Sequence, residues 1–151
     1  MKLNTVLYLS NPDQLPQVSV QDLAAHSEDV ICLTGGALGP LGVLLHENQK
    51  TKANKFLERL KTIYDTNLYI EIQRHPTENG LTPAEQSTEP DLIQLAYDHD
   101  VPLVATNDVY FPKSDMYEAH DALICIAEGA YVDQQDPRRR LTPQHYFKTQ
   151  E

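Results

Sequence analysis

Short apolar runs alternate along this chain with stretches whose apolar positions recur three and four residues apart. The fullest example is Val101–Gly129. Val101-Pro102-Leu103-Val104-Ala105 is apolar and turns polar abruptly at Thr106-Asn107-Asp108. A buried parallel strand reads this way, apolar along its length and polar where it emerges. In barrel-like α/β folds the C-terminal strand ends are where sites are built. Pro112 breaks the chain, and Ser114 is placed to cap a helix. Its apolar positions Met116, Ala119, Leu123 and Ile126 fall on one face, Asp115 and Glu118 lie in its first turn, and Gly129 suits its C-terminal cap.

Upstream, Met1–Ser10 reads as strand from Val6-Leu7-Tyr8-Leu9 or as helix. Asn11-Pro12-Asp13 is a turn signal, and Ser19 can cap a short helix through Leu23, Ala24 and His26. Asp29–Thr34 predicts a strand covered on both faces, ended by Gly35-Gly36. Those glycines form a tight turn or cradle an anion. Pro40 opens a short helix. Asn48–Tyr64 predicts a helix with an apolar stripe of Ala53, Phe56, Leu57, Leu60, Ile63 and Tyr64, and lysines and Arg59 on its solvated side. Leu68–Gln73 alternates as a strand, with Glu71 mid-strand. A buried carboxylate needs a partner, so Glu71 faces water, is held by hydrogen-bond donors, or ligates a cation. Pro76–Glu89 reads as a long loop and Pro90–Asp98 as a helix with Leu92, Leu95 and Ala96 inward. The fold class is therefore α/β, with parallel strands alternating with helices.

A length of 151 residues suits one ordinary domain. The net charge of −10 opposes contact with phosphate backbones, and the one basic cluster is Arg138-Arg139-Arg140. No nucleic-acid binding is expected from this segment. Cys32 and Cys125 lie in apolar runs and read as buried free thiols, with a disulfide as the lesser alternative. No apolar run reaches membrane-spanning length and no signal peptide is visible, so a cytoplasmic protein is expected. There is no CxxC, HExxH or phosphate loop with lysine.

VATNDV, an acidic helix start, EAHDALICI and a glycine together resemble the end of the PHP (polymerase and histidinol phosphatase) domain of bacterial replicative DNA polymerase III α subunits. LTGGALGP, YIEIQRH and LTPQHYFK stand in matching order around it, so the resemblance covers most of the chain. It implies a partial PHP-type distorted (β/α) barrel. Residues 1–130 would be the C-terminal part of a PHP domain, and 131–151 a linker and the start of a helix from Thr142-Pro143. The family's histidine-rich opening strand is absent and no HxH occurs. The chain is accordingly read as an internal piece of a longer DNA-directed DNA polymerase whose palm carboxylates lie elsewhere.

PHP enzymes hold two or three divalent metals that activate water against a phosphoester. The resemblance implies three ligand positions in this half of the domain. One falls at or beside Gly36, which has no side chain to coordinate. The others form an Asp-x-His, here Asp108-Val109-Tyr110. A neutral phenol with a pKa of about 10 is a poor ligand near pH 7. Asp108 thus reads as the remnant of a degraded metal site, paired instead with an arginine or backbone N–H groups. Glu71, Asn107 and His120 are the other polar candidates at the strand ends, His120 by packing or hydrogen bonding across them. No catalytic residue and no cofactor is expected, and zinc or manganese would bind only if the site were intact. The implied role is structural and partner-docking. The partners are the rest of the α subunit and its proofreading exonuclease, with self-association through open sheet edges. The alternatives are an active metal-dependent phosphoesterase or exonuclease, and an unrelated α/β small-ligand-binding domain.

Overall fold

The computed structural model describes residues 2–9, 16–78, 80–134 and 141–149. In chain order it places helix α1 (Lys2–Leu9), α2 (Val20–Ala25), strand β1 (Cys32–Leu33), α3 (Pro40–His46), α4 (Lys50–Tyr64), β2 (Leu68–Gln73), α5 (Pro83–Asp98), β3 (Leu103–Thr106) and α6 (Tyr117–Glu128). Short 3₁₀ turns cover Gly36–Leu38, Asp65–Asn67 and Ser114–Met116. The three strands form one parallel sheet in the order β1-β2-β3. Parallel neighbours need a crossover, which the α3–α4 pair and α5 supply. The α/β class with strands alternating with helices is thus what the chain adopts.

The core lies between the sheet and α3, α4 and α5. Leu41, Leu57, Leu68, Ile70 and Leu92 are fully buried there. Each such side chain stabilises the fold by about 1.5–3 kcal/mol relative to exposure. α4 follows its sequence pattern closely: Ala53, Leu57, Leu60 and Tyr64 are buried, with Phe56 and Ile63 packed at the margin. α2 carries the expected cap, since Ser19 accepts from the Asp22 N–H and the Asp22 carboxylate accepts from Ser19. Pro40 stands in the first turn of α3. The ambiguous opening segment is helical over Lys2–Leu9. The turn signal Asn11-Pro12-Asp13 and the Arg138-Arg139-Arg140 cluster lie outside the described residues.

Four expectations are corrected. The first strand shrinks to Cys32–Leu33, and Ile31 and Leu33 are exposed, because they point to the sheet face opposite the core on which Val30 and Cys32 pack. β3 is an edge like β1 and only half covered. The loop expected over Pro76–Glu89 ends at Thr82. Thr82 accepts from the Glu85 N–H and Glu85 accepts from the Thr82 N–H, a reciprocal cap that starts α5 at Pro83. Pro90 falls inside that helix rather than opening it.

The third correction concerns α6. Ser114 heads a 3₁₀ turn and makes no cap hydrogen bond for the helix. Met116, Leu123 and Ile126 face outward, Ile126 being 78% exposed, while Asp121 and Cys125 are buried. The helix therefore presents its apolar stripe away from the sheet. Fourth, Thr142-Pro143 begins a turn and no helix follows over 144–149. Tyr146 instead pairs with Phe111 as an isolated parallel bridge. Both cysteines are free, as expected, with Cys125 buried and Cys32 half-buried.

Candidate functional site

The C-terminal ends of β2 and β3 open into a cavity of about 480 Å³. The Gly36–Leu38 turn, the start of α5 and residues 141–145 close its sides.

Glu71 is buried mid-strand and held entirely by protein donors. Its Oε2 accepts from the Gly35 N–H at 2.8 Å. Its Oε1 accepts from Gln73 Nε2 at 3.3 Å and from the Thr106 hydroxyl. The Glu71 N–H itself donates to Thr34 Oγ1 at 3.0 Å. Gly35 and Gly36 have positive φ, +82° and +59°. Glycine adopts that backbone without a Cβ penalty, and here it aims an amide at a carboxylate. The glycine turn does cradle an anion, but the anion is the chain's own Glu71.

His75 follows β2 and is buried. Its Nδ1 lies 2.7 Å from Glu85 Oε1, which also accepts the His75 backbone N–H at 3.1 Å. Its Nε2 accepts the Asp108 N–H at 3.3 Å. The second contact fixes the tautomer: Nε2 carries the lone pair and Nδ1 the proton. Burial raises the Glu85 carboxyl, but hydrogen bonds from His75 and Thr82 outweigh it and hold the group below the usual glutamate value.

His145 stacks on His75, with ring centroids 3.9 Å apart and planes 8° from parallel. Its backbone oxygen accepts from the Tyr110 N–H at 2.9 Å and from Phe111 at 3.4 Å. Asn107 Nδ2 donates to the Tyr146 carbonyl at 2.8 Å. These bonds fasten residues 141–147 across the end of β3. Burial first, and then the neighbouring His75, lower the affinity of the His145 imidazole for a proton below its ordinary value, partly offset by Thr142, Asp108 and Glu85.

Of the residues singled out from sequence, Asp108 lines the cavity and Glu71 lies behind it in the hydrogen-bonded layer. Asn107 turns its amide toward Tyr146, and its Oδ1 is buried without a hydrogen-bond partner among the described residues. His120 packs against the rings of Tyr110 and Phe111, at centroid distances of 5.8 and 5.4 Å. The arginine expected beside Asp108 is not found among the described residues. Arg74 pairs with both oxygens of Glu89 instead. Sequence reading missed Glu85 and His145. The Thr82-Pro83-Ala84-Glu85 capping pattern could have revealed the first; no local pattern marks the second.

The family-implied ligand positions fit a metal poorly. A Cβ at Gly36 would lie 2.8 Å from Gln73 Oε1, so the Gln73 amide already fills that space. Both ring nitrogens of His75 and both oxygens of Glu71 are taken. Tyr110 offers a phenol packed edge-on to His120 and His145. Among the described residues no three histidine, cysteine, aspartate or glutamate side chains converge as a cation site.

This architecture is an α/β scaffold with a polar cavity at its parallel strand ends, the kind of site PHP domains carry. Residues 1–75 match the family described as PHP domain. The chain is 45% identical over 151 residues to the DNA polymerase III subunit alpha of Caulobacter vibrioides. That alignment covers 99% of this chain and 13% of the relative. It is 33% identical to the corresponding subunit of Rickettsia bellii, over 99% of this chain and 12% of that relative. Against Treponema pallidum it is 33% identical, over 100% of this chain and 13% of the relative. Over residues 1–75, just under half of the chain, the sequence matches the PHP family, and over nearly its whole length it is similar to bacterial DNA polymerase III α subunits. It spans 12–13% of the length of these relatives. No helix among the described residues is long and apolar enough to cross a membrane.

Proposed function

We propose that this chain acts as a structural and partner-docking PHP segment of a replicative DNA polymerase α subunit, with a metal site degraded beyond use. The observation that carries the reading is the committed state of the strand-end donors. A centre that activates water on a phosphoester needs several free ligands around each cation. Here His75 and Glu85 are spent on each other and on backbone amides, Glu71 is spent on Gly35, Gln73 and Thr106, and the Asp108 carboxylate has no hydrogen-bond partner among the described residues. Polymerisation would be performed by other parts of the subunit, for which this scaffold provides support. The PHP-type unit would run to residue 130, because β3 pairs with β2 over Ile70–Gln73 and α6 follows directly. A proofreading exonuclease subunit is the further partner proposed. Self-association through the open edges of β1 and β3 is the fate proposed for the segment alone.

The test is a phosphoesterase assay on the 151-residue chain with added manganese. No turnover above background is expected for phosphomonoester or single-stranded DNA substrates. Turnover that disappears on Asp108→Asn would establish the competing reading of an active phosphoesterase.

A further inference from the structure

We propose that the strand-end cavity binds an arginine side chain of a polypeptide partner, with Asp108 as the carboxylate that receives its guanidinium. The proposal rests on the reading above that this cavity does not hold a metal centre. Two adjoining spaces meet at Leu141 and Thr142, which line both. One is the 480 Å³ cavity beside Asp108, and the other is an open groove of about 710 Å³ beside Glu78, Tyr117 and Pro143. The first falls within the range of roughly 300–1,000 Å³ typical of ligand pockets.

Charge selects the class of guest. Glu78, Glu85 and Asp108 line these spaces, and no lysine or arginine among the described residues does. Glu85 is satisfied by His75 and Thr82. The Asp108 carboxylate has no hydrogen-bond or ion-pair partner among the described residues; only its backbone N–H is engaged, on His75. A half-buried carboxylate with no cation beside it among the described residues favours one that enters. Shape then selects within the class. Tyr110, His75 and His145 line the cavity together with Asp108; the two imidazoles are buried and stacked on one another, and the Tyr110 ring is 40% exposed. A planar guanidinium can stack on such rings while pairing with both oxygens of a carboxylate, which a lysine ammonium cannot do. The adjoining groove gives the flanking main chain of a peptide a place to lie, which a free guanidine would not use.

The experiment is an NMR titration of the 151-residue chain, in the presence of a chelator, with N-acetyl-arginine amide, N-acetyl-citrulline amide, guanidinium and a short arginine-centred peptide. Citrulline has nearly the shape of arginine without its charge, so this comparison needs no variant. The proposal expects saturable shifts at Asp108, Tyr110, Leu141 and His145 with both arginine probes, tightest for the peptide, and none with citrulline. Asp108→Asn should weaken the arginine probes at least tenfold. Equal binding of citrulline, binding unchanged in Asp108→Asn, or guanidinium binding as tightly as the peptide would each overturn it. A separate manganese titration reports on the metal-free reading, so the two ideas fail independently.

Discussion

His75 and Glu85 form a buried pair in which one carboxylate oxygen accepts both the ring Nδ1–H, at 2.7 Å, and the backbone N–H, at 3.1 Å. The other oxygen of Glu85 closes the cap of α5 on the Thr82 N–H. One side chain thus joins the end of β2 to the start of the next helix. Glu85→Ala leaves a buried imidazole N–H and two backbone amides without their acceptor. Such groups cost about 1–3 kcal/mol each when stranded, and a lost cap costs about 1 kcal/mol. Because water will reach part of the site, we expect a destabilisation of about 3 kcal/mol, read by urea denaturation. A change below about 0.5 kcal/mol, the range of ordinary surface substitutions, would mean the pair is not formed.

The pH dependence follows from the same corner. The His145 imidazole binds a proton less readily in the fold than its usual value of 6.5 implies. As pH falls through that value, the unfolded chain takes up a proton that the folded chain refuses, so stability drops. Glu85 acts in the same direction lower down. Its carboxyl lies below the usual 4.5 in the fold, so the unfolded chain is protonated first there too. Denaturation at a series of pH values should show stability declining below about pH 6.5 and again below about 4.5. His145→Phe should keep the ring stack and remove the upper decline; a decline that survives this substitution would assign it elsewhere.

Gly36 lies at or beside a position where the PHP resemblance implies a metal ligand, and its backbone is left-handed with φ +59°. A Cβ there meets the end of the Gln73 side chain at 2.8 Å. Gly36→Ala should cost about 1–2 kcal/mol, mostly from the backbone, because Gln73 can swing aside. Gly36→Ala combined with Gln73→Ala should recover only the steric part. Full recovery in a denaturation experiment would show that crowding, not backbone strain, sets the cost.

The outward stripe of α6 makes a contrast in stability. Leu123 is 63% exposed and Leu57 is fully buried. Leu57→Ala should cost about 2–5 kcal/mol through transfer and cavity terms. Leu123→Ser should change stability by less than about 0.5 kcal/mol. A large loss at Leu123 would mean that the stripe is covered when the segment is in solution.

Where sequence and structure part company, the reason is long-range geometry. Periodicity placed α4 and β2 because their burial is set by neighbours on the core side, and Ala53, Leu57, Leu60, Leu68 and Ile70 lie there as the pattern requires. The same periodicity gave α6 an apolar face without saying what that face would meet. Met116, Leu123 and Ile126 find nothing to cover them among the described residues. The strand runs of β1 and β3 read as doubly covered, yet each is a sheet edge. At the site, Glu71 is visible as a polar residue within a strand and Asp108 as one just beyond a strand's end. Their partners were not: Gly35 lies 36 residues from Glu71 and Thr106 lies 35 away. His145 meets His75 where Asn107, Tyr110 and Phe111 bond to the His145 and Tyr146 backbone and join two separate segments. The α5 start was legible in Thr82 and Glu85, and Pro90 drew attention from it by suggesting a later helix.

The central claim is that the strand ends satisfy themselves and leave too few donors to grip cations. Equilibrium dialysis of the 151-residue chain against micromolar zinc or manganese, followed by elemental analysis, tests it most directly. The account predicts far less than one tightly held ion per chain, with no difference between the wild-type protein and Asp108→Ala. Stoichiometric metal that is lost in Asp108→Ala would contradict it.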